Sequence, residues 1–131
     1  MSANEIVQEF TPVNAESFTF SCALDGEGVV VSLSGMVDIP NPDEHLLPSL
    51  IRLDSSLSSH GIGTISFDIR ALDFINSSGI KVLLQMLMKN LGRPENGRYR
   101  IVFLHDPNRK YQKKSFRSMS FLAPDLVSFN P

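Results

Sequence analysis

Between Thr64 and Leu104 the chain changes its hydrophobic period twice. Thr64–Ile69, T-I-S-F-D-I, reads as a short β-strand. Ile80, Leu83, Leu84, Leu87 and Leu91 then recur at helical spacing, with Lys81, Gln85 and Lys89 opposite them. Gly92 and Pro94 stop that helix, and Arg100–Leu104 is again a strand. Strand, helix and strand in this order imply a crossover between parallel strands, because a tight turn joins only antiparallel ones. The stripe predicts that Ile80, Leu83, Leu84 and Leu87 are buried and that Lys81, Gln85 and Lys89 are not.

The flanking sequence extends this unit in both directions. Phe18–Leu24 alternates as F-T-F-S-C-A-L, and Val29–Leu33 is a β-branched run. Asp25-Gly26-Glu27-Gly28 lies between them, so the pair reads as a hairpin. Gly35 is expected to end its second strand. Asn41-Pro42-Asp43-Glu44 has the chemistry of a helix start, with Asn as N-cap, Pro at the first helical position and acids in the first turn. Leu46, Leu50, Leu53 and Leu57 share one face of that helix, Pro48 leaves open a start delayed until after Leu47, and Gly61 and Gly63 close it. Residues 109–122 read as a basic amphipathic helix with Phe116, Met119 and Leu122 inward, and Leu126–Phe129 as a short last strand. The expected order is β-β-α-β-α-β-α-β. It gives one α/β domain over residues 17–131, a mixed sheet of four to five strands backed by three or more helices, after an N-terminal extension at 1–16. A length of 131 residues suits one such domain.

Composition narrows the function. The longest apolar runs are far shorter than the roughly 18–20 residues that span a bilayer, so no membrane insertion is expected. MSANEIVQEF carries no Lys or Arg and does not resemble a signal or transit peptide. One cysteine, Cys22, permits no internal disulfide, and the expected compartment is the cytoplasm. The net charge of −2 argues against direct nucleic-acid binding, which needs clustered basic residues over a sizeable surface. The charge is uneven, however. Residues 1–51 hold acids but no Lys or Arg, whereas 93–117 are dominated by Lys and Arg. That basic segment reads either as a solvated helix face or as a partner-facing or phosphate-sensing patch.

No catalytic, cofactor or metal site emerges. Ser77, Asp73 and His105 have the residue types of a triad, but the G-x-S-x-G elbow is absent. Asp43, Glu44 and His45 are adjacent and point three ways on a helix, while His60 and the lone Cys22 complete no ligand set. Gly26 and Gly28 belong to a hairpin turn, not to a phosphate loop.

What remains is the run Asp73-Phe74-Ile75-Asn76-Ser77-Ser78-Gly79-Ile80, at the turn from strand to helix. Asn and Ser are preferred N-caps and Gly permits close packing, so capping alone accounts for these residue types. The longer run I-S-F-D-I-R-A-L-D-F-I-N-S-S-G-I-K-V-L-L nevertheless resembles the signature of STAS domains, the anti-sigma-factor antagonist family. That signature is a strand, a hydrophobic step, Asp-Ser-Ser/Thr-Gly and a Leu-rich helix. Ser34-Gly35-Met36-Val37-Asp38 is similar to the family's Gly-Glu-Leu/Ile-Asp after the second strand. The resemblance implies a bacterial regulator, not an enzyme, that binds a partner-switching Ser/Thr kinase and is reset by a phosphatase. The implied phosphorylation site is Ser77, with Ser78 as its rival. The implied partner-binding face comprises Gly35, Asp38, Asn76, Ser77, Ser78, Gly79 and Lys81. The family aspartate is Asn76 here, which removes a charge beside the acceptor hydroxyl but keeps a helix cap. STAS-like domains also serve as non-phosphorylated subunits of transporters or signalling assemblies, which is the alternative role.

Overall fold

The computed structural model describes residues 2–26 and 28–130. In chain order the elements are α1 (Ser2–Glu9), β1 (Val13–Asn14), β2 (Phe18–Asp25), β3 (Gly28–Val37), α2 (Asp43–Ser59), β4 (Thr64–Asp68), β5 (Leu72–Ile75), α3 (Ser77–Leu91), β6 (Arg100–Leu104), α4 (Lys110–Leu122) and β7 (Val127–Asn130). The result is a single α/β domain. Its mixed sheet runs β1-β2-β3-β4-β6-β7, with β5 also paired to β3. The β1, β2 and β3 pairs are antiparallel, and every pair from β3 onward is parallel, as the crossover helices require.

Among the described residues, seven strands replace the expected four or five. The additions are β1, which is two residues long, and β5, which is four; neither is long enough to show a period of its own. Residues 2–14, expected as an extension, form α1 and β1, and Ile6 and Phe10 are buried in the common core. Within the expected hairpin turn Glu27 lies outside the described residues, and Gly26 takes φ +63°.

Four further expectations are corrected. Gly35 does not end β3. At φ +89° it sits where a Cβ would stand 2.4 Å from the Ser17 carbonyl oxygen, and the register shifts between Gly35 and Met36. The strand is thereby handed from β4, paired at Val30–Ser32, to β5, paired at Gly35–Val37. Secondly, α2 starts at Asp43 with Pro42, not Asn41, at the N-cap and without a side-chain cap, and Pro48 lies inside the helix. Pro48 removes one backbone bond, but Leu46, Leu50, Leu53 and Leu57 are all essentially fully buried, and that packing holds the helix through it.

In α3 the buried line is Gly79, Val82, Leu83, Met86, Leu87 and Asn90, while Ile80 and Leu84 are only half-buried; Lys81, Gln85 and Lys89 are exposed. Two of the inward positions carry no hydrophobic signal. Gly79 packs by having no side chain, and Asn90 is fully buried because its carboxamide donates to the Tyr99 carbonyl at 2.9 Å and accepts from the Tyr99 N–H at 3.2 Å. In α4 Phe116 and Met119 are inward, but Leu122 is exposed, and the third inward residue is Gln112. Alternate residues on the strands, among them Phe18, Phe20, Val31, Leu33, Ile65, Phe67, Ile101 and Phe103, complete the core.

Candidate partner-binding site

The site is assembled where β5 ends beside β3. Val37 and Ile75 are register partners, and the Asn76 N–H donates to the Val37 carbonyl at 2.9 Å as the last bond of that ladder. Asn76 then leaves the strand in an extended conformation, φ −78° and ψ 170°, and becomes the N-cap of α3. Its Oδ1 accepts from the Gly79 N–H at 2.8 Å, and its Nδ2 donates to the Ile39 carbonyl at 2.9 Å. The carboxamide thus uses both of its ends, tying the helix start to the chain that follows β3. An ionised aspartate has no donor for Ile39. The departure from the resembled signature therefore has a structural partner here.

With Asn76 as the cap, Ser77 and Ser78 are the first two helical residues. Both are exposed, and neither hydroxyl has a hydrogen-bond partner among the described residues. Capping accounts for Asn76 but leaves both hydroxyls unused. Gly79 is buried beneath them. A Cβ there would lie 2.7 Å from Ile75 Cγ1 and 3.1 Å from Val37 Cγ1, so glycine sets how closely the helix sits on β3 and β5. No acid occupies the first turn of α3, and Lys81 is exposed four residues after Ser77, within helical reach of it. The helix dipole and Lys81 both favour negative charge at Ser77, against which stands the exposed Asp38 at the end of β3.

The structure brings Gly35, Asp38, Asn76, Ser77, Ser78, Gly79 and Lys81 to one end of the sheet through the β3–β5 pairing and the start of α3. Of these, Asp38, Ser77, Ser78 and Lys81 present exposed side chains, while Gly79 is buried beneath the helix start. Sequence reasoning missed Met36 and Phe74. They are register partners on β3 and β5, 44% and 45% exposed, and form an apolar pair on the surface beside the turn. Their pairing is invisible until β5 is known to be a strand.

The strand leading into the turn is clamped from behind. Arg109 is salt-bridged to Asp73 and donates to the Arg70 carbonyl at 3.1 Å; Gln112 Nε2 and the Tyr111 hydroxyl both donate to the Leu72 carbonyl. Asp73 thus engages Arg109, with no hydrogen bond joining Ser77, Asp73 and His105 among the described residues. His45 packs edge-on to Phe18 at 6.5 Å, and His60 is salt-bridged to Glu5 and Glu9. Burial pushes the Cys22 thiol up to about 11, away from reactivity.

Solved structures share the overall fold. An anti-sigma factor antagonist from Mycobacterium paratuberculosis superposes with a TM-score of 0.57 at 16% identity, covering 91% of this chain and 91% of that one. A protein with a SpoIIAA-like fold from Shewanella loihica gives 0.56 at 16% identity, covering 89% and 88%. The chain has the SpoIIAA-like STAS fold. At that identity the likeness is one of fold; no family model and no curated protein matches the sequence. In this STAS fold the Asn76–Gly79 turn lies where β5 hands over to α3, and no helix among the described residues is long and apolar enough to cross a membrane.

Proposed function

We propose that this protein is a cytoplasmic partner-switching regulator of the anti-sigma-factor-antagonist type, with Ser77 as the switch. The unmodified face binds a Ser/Thr kinase, the kinase phosphorylates Ser77, and a phosphatase restores the binding form. The protein acts by occupying a partner, with no catalysis of its own. The observation that carries this reading is the pair of exposed, unpartnered hydroxyls on α3, beside the apolar Met36–Phe74 pair and the Gly35–Asp38 segment. An apolar anchor next to a modifiable hydroxyl suits a surface that is bound in one state and refused in the other.

A phosphate of about −1.5 to −2 charges at the first turn is favoured by the helix dipole and by Lys81, so modification leaves the fold intact. It changes the charge that a docked partner must desolvate. Ser77→Asp should therefore weaken capture of the partner from native cytosol, and Ser77→Ala should retain it. Equal capture by both variants would remove the switch and leave the alternative role, a non-phosphorylated subunit of a transporter or signalling assembly. One feature favours that second reading. Asn76 is a neutral, doubly bonded cap where the family carries a carboxylate.

A further inference from the structure

A cavity of about 320 Å³ opens at the carboxyl end of β6, lined by none of the residues assigned to partner switching. It is lined by His105, Pro107, Lys110, Lys113, Lys114 and Arg117. The four cations lie at i, i+3, i+4 and i+7 on α4, and hence on one face of it. Each stands three or four residues from another of the set, a spacing at which like charges oppose helix formation. Nothing on the helix offsets this. The sequence KYQKKSFRSMSFL contains no acid, and its first residue, Lys110, stands at the positive end of the helix dipole. The acid that precedes the helix, Asp106, is engaged with the Asn108 N–H at 3.0 Å, and Arg109 is already paired with Asp73.

His105 adds an independent observation. It is only 8% exposed, yet among the described residues its Nδ1 has no hydrogen-bond partner, which is uncommon for a buried polar atom. Its ring rests edge-on against Phe129 at 5.7 Å, and Lys113 lies over the other ring at 5.6 Å, so Phe129 backs both. The position is also one that open α/β sheets reserve for ligands, outside the carboxyl ends of parallel strands and at the start of a helix.

We infer that this cavity is a binding site for a small soluble polyanion carrying two or more phosphate groups. Its volume is at the lower end of the ligand-pocket range, roughly 300–1,000 Å³. The four cations that line so small a space carry more charge than one monoanion neutralises. The bound ligand relieves repulsion along α4, so binding stabilises the fold. Because α4 and its N-cap residue Arg109 also clamp β5, Arg109 through Asp73 and Tyr111 and Gln112 through the Leu72 carbonyl, an occupant here stiffens the strand that leads to Asn76. The binding claim is independent of phosphorylation at Ser77.

The test uses inorganic triphosphate as the probe, with the full chain at fixed ionic strength. Melting temperature and isothermal titration are followed for the parent, for the double variant Lys110→Gln/Lys114→Gln and for Lys89→Gln as a lysine-neutralising control on α3, outside the cavity. The parent and the control should show a saturable rise in melting temperature, and the His105 ring resonances of the parent should move with the same saturation. The double variant should lose about tenfold or more in affinity, as expected on removing two charge-assisted contacts. Should the double variant fold poorly, the His105 titration of the parent still decides the matter. The inference is overturned if sodium chloride at matched ionic strength reproduces the shift, or if the double variant binds as tightly as the parent. It is overturned equally if the protein sediments with anionic phospholipid vesicles but ignores free triphosphate, since the stripe would then read a membrane surface.

Discussion

Replacing Asn76 by the aspartate of the STAS signature that the sequence resembles should destabilise this protein. In Asn76→Asp the acceptor for the Gly79 N–H is kept, but the 2.9 Å contact with the Ile39 carbonyl changes from donor–acceptor to acceptor–acceptor. Loss of a neutral hydrogen bond costs about 1 kcal/mol, and leaving a partly buried carbonyl unsatisfied raises this toward 2 kcal/mol. Against this, a negative charge at a helix N-terminus contributes about 0.3–1 kcal/mol. The net expectation is a loss of about 1 kcal/mol at neutral pH. The deficit has a pH signature. A protonated carboxyl regains a donor for Ile39, so the folded state favours the protonated form and the introduced group titrates higher folded than unfolded. Relative to the parent, stability is therefore recovered as pH falls through the raised folded value, and is fully regained below the usual unfolded carboxylate value, near 4. Urea unfolding at pH 7 and at pH 4 measures both terms, read as a shift of midpoint at unchanged slope. An Asn76→Asp variant as stable as the parent at pH 7 would refute the reasoning, because the Ile39 contact would then contribute nothing.

Other perturbations test the surrounding architecture. Leu83→Ala should cost about 2–5 kcal/mol in urea unfolding, as buried large-to-small changes do, whereas Leu84→Ala on the half-buried flank should cost clearly less; equal losses would show that the helix face is misassigned. Lys81→Ala should stay within about 0.5 kcal/mol. Gly79→Ala gains about 1 kcal/mol of helix propensity but places a methyl 2.7 Å from the buried Ile75, so thermal unfolding should show a net loss of stability. On the acid side, Arg70 holds the Asp68 carboxyl below its usual value through a side-chain hydrogen bond. The resulting stabilisation is present above the unfolded carboxylate range and is lost as pH falls through the lower folded value. It amounts to less than about 1 kcal/mol because Arg70 is exposed, and Arg70→Ala should flatten the stability profile only on that acid side.

Much of the fold follows from patterns that are local. The β2–β3 hairpin, the α3 helix with its stops and the β6 strand are set by alternation, helical spacing and punctuating glycines within a few residues of one another. The parts that escape are set by distant contacts. Neither β1 nor β5 exceeds four residues, and each is a strand only because a longer neighbour pairs with it. The rotation of the α3 face follows from Gly79 packing on Ile75 and Asn90 bonding Tyr99, neither of which registers as hydrophobic. The continuity of α2 through Pro48 rests on four leucines anchored in the core.

The candidate site was legible to a similar degree. The turn, its exposed serines and the neighbouring Gly35–Asp38 segment follow from residue types at a strand-to-helix junction together with the family resemblance. The cap itself falls on Asn76, and only the Ile39 contact explains why a carboxamide suits that position. The Met36–Phe74 pair depends on a register between two strands, one of which carries no signal of its own.

Phosphorylation at Ser77 is tested most directly by intact mass. The parent, Ser77→Ala and Ser78→Ala are each incubated in native cytosol with ATP, recovered and weighed by mass spectrometry. The account predicts a gain of one phosphate in the parent and in Ser78→Ala, and none in Ser77→Ala. A gain in none of the three, or one abolished only by Ser78→Ala, would contradict it.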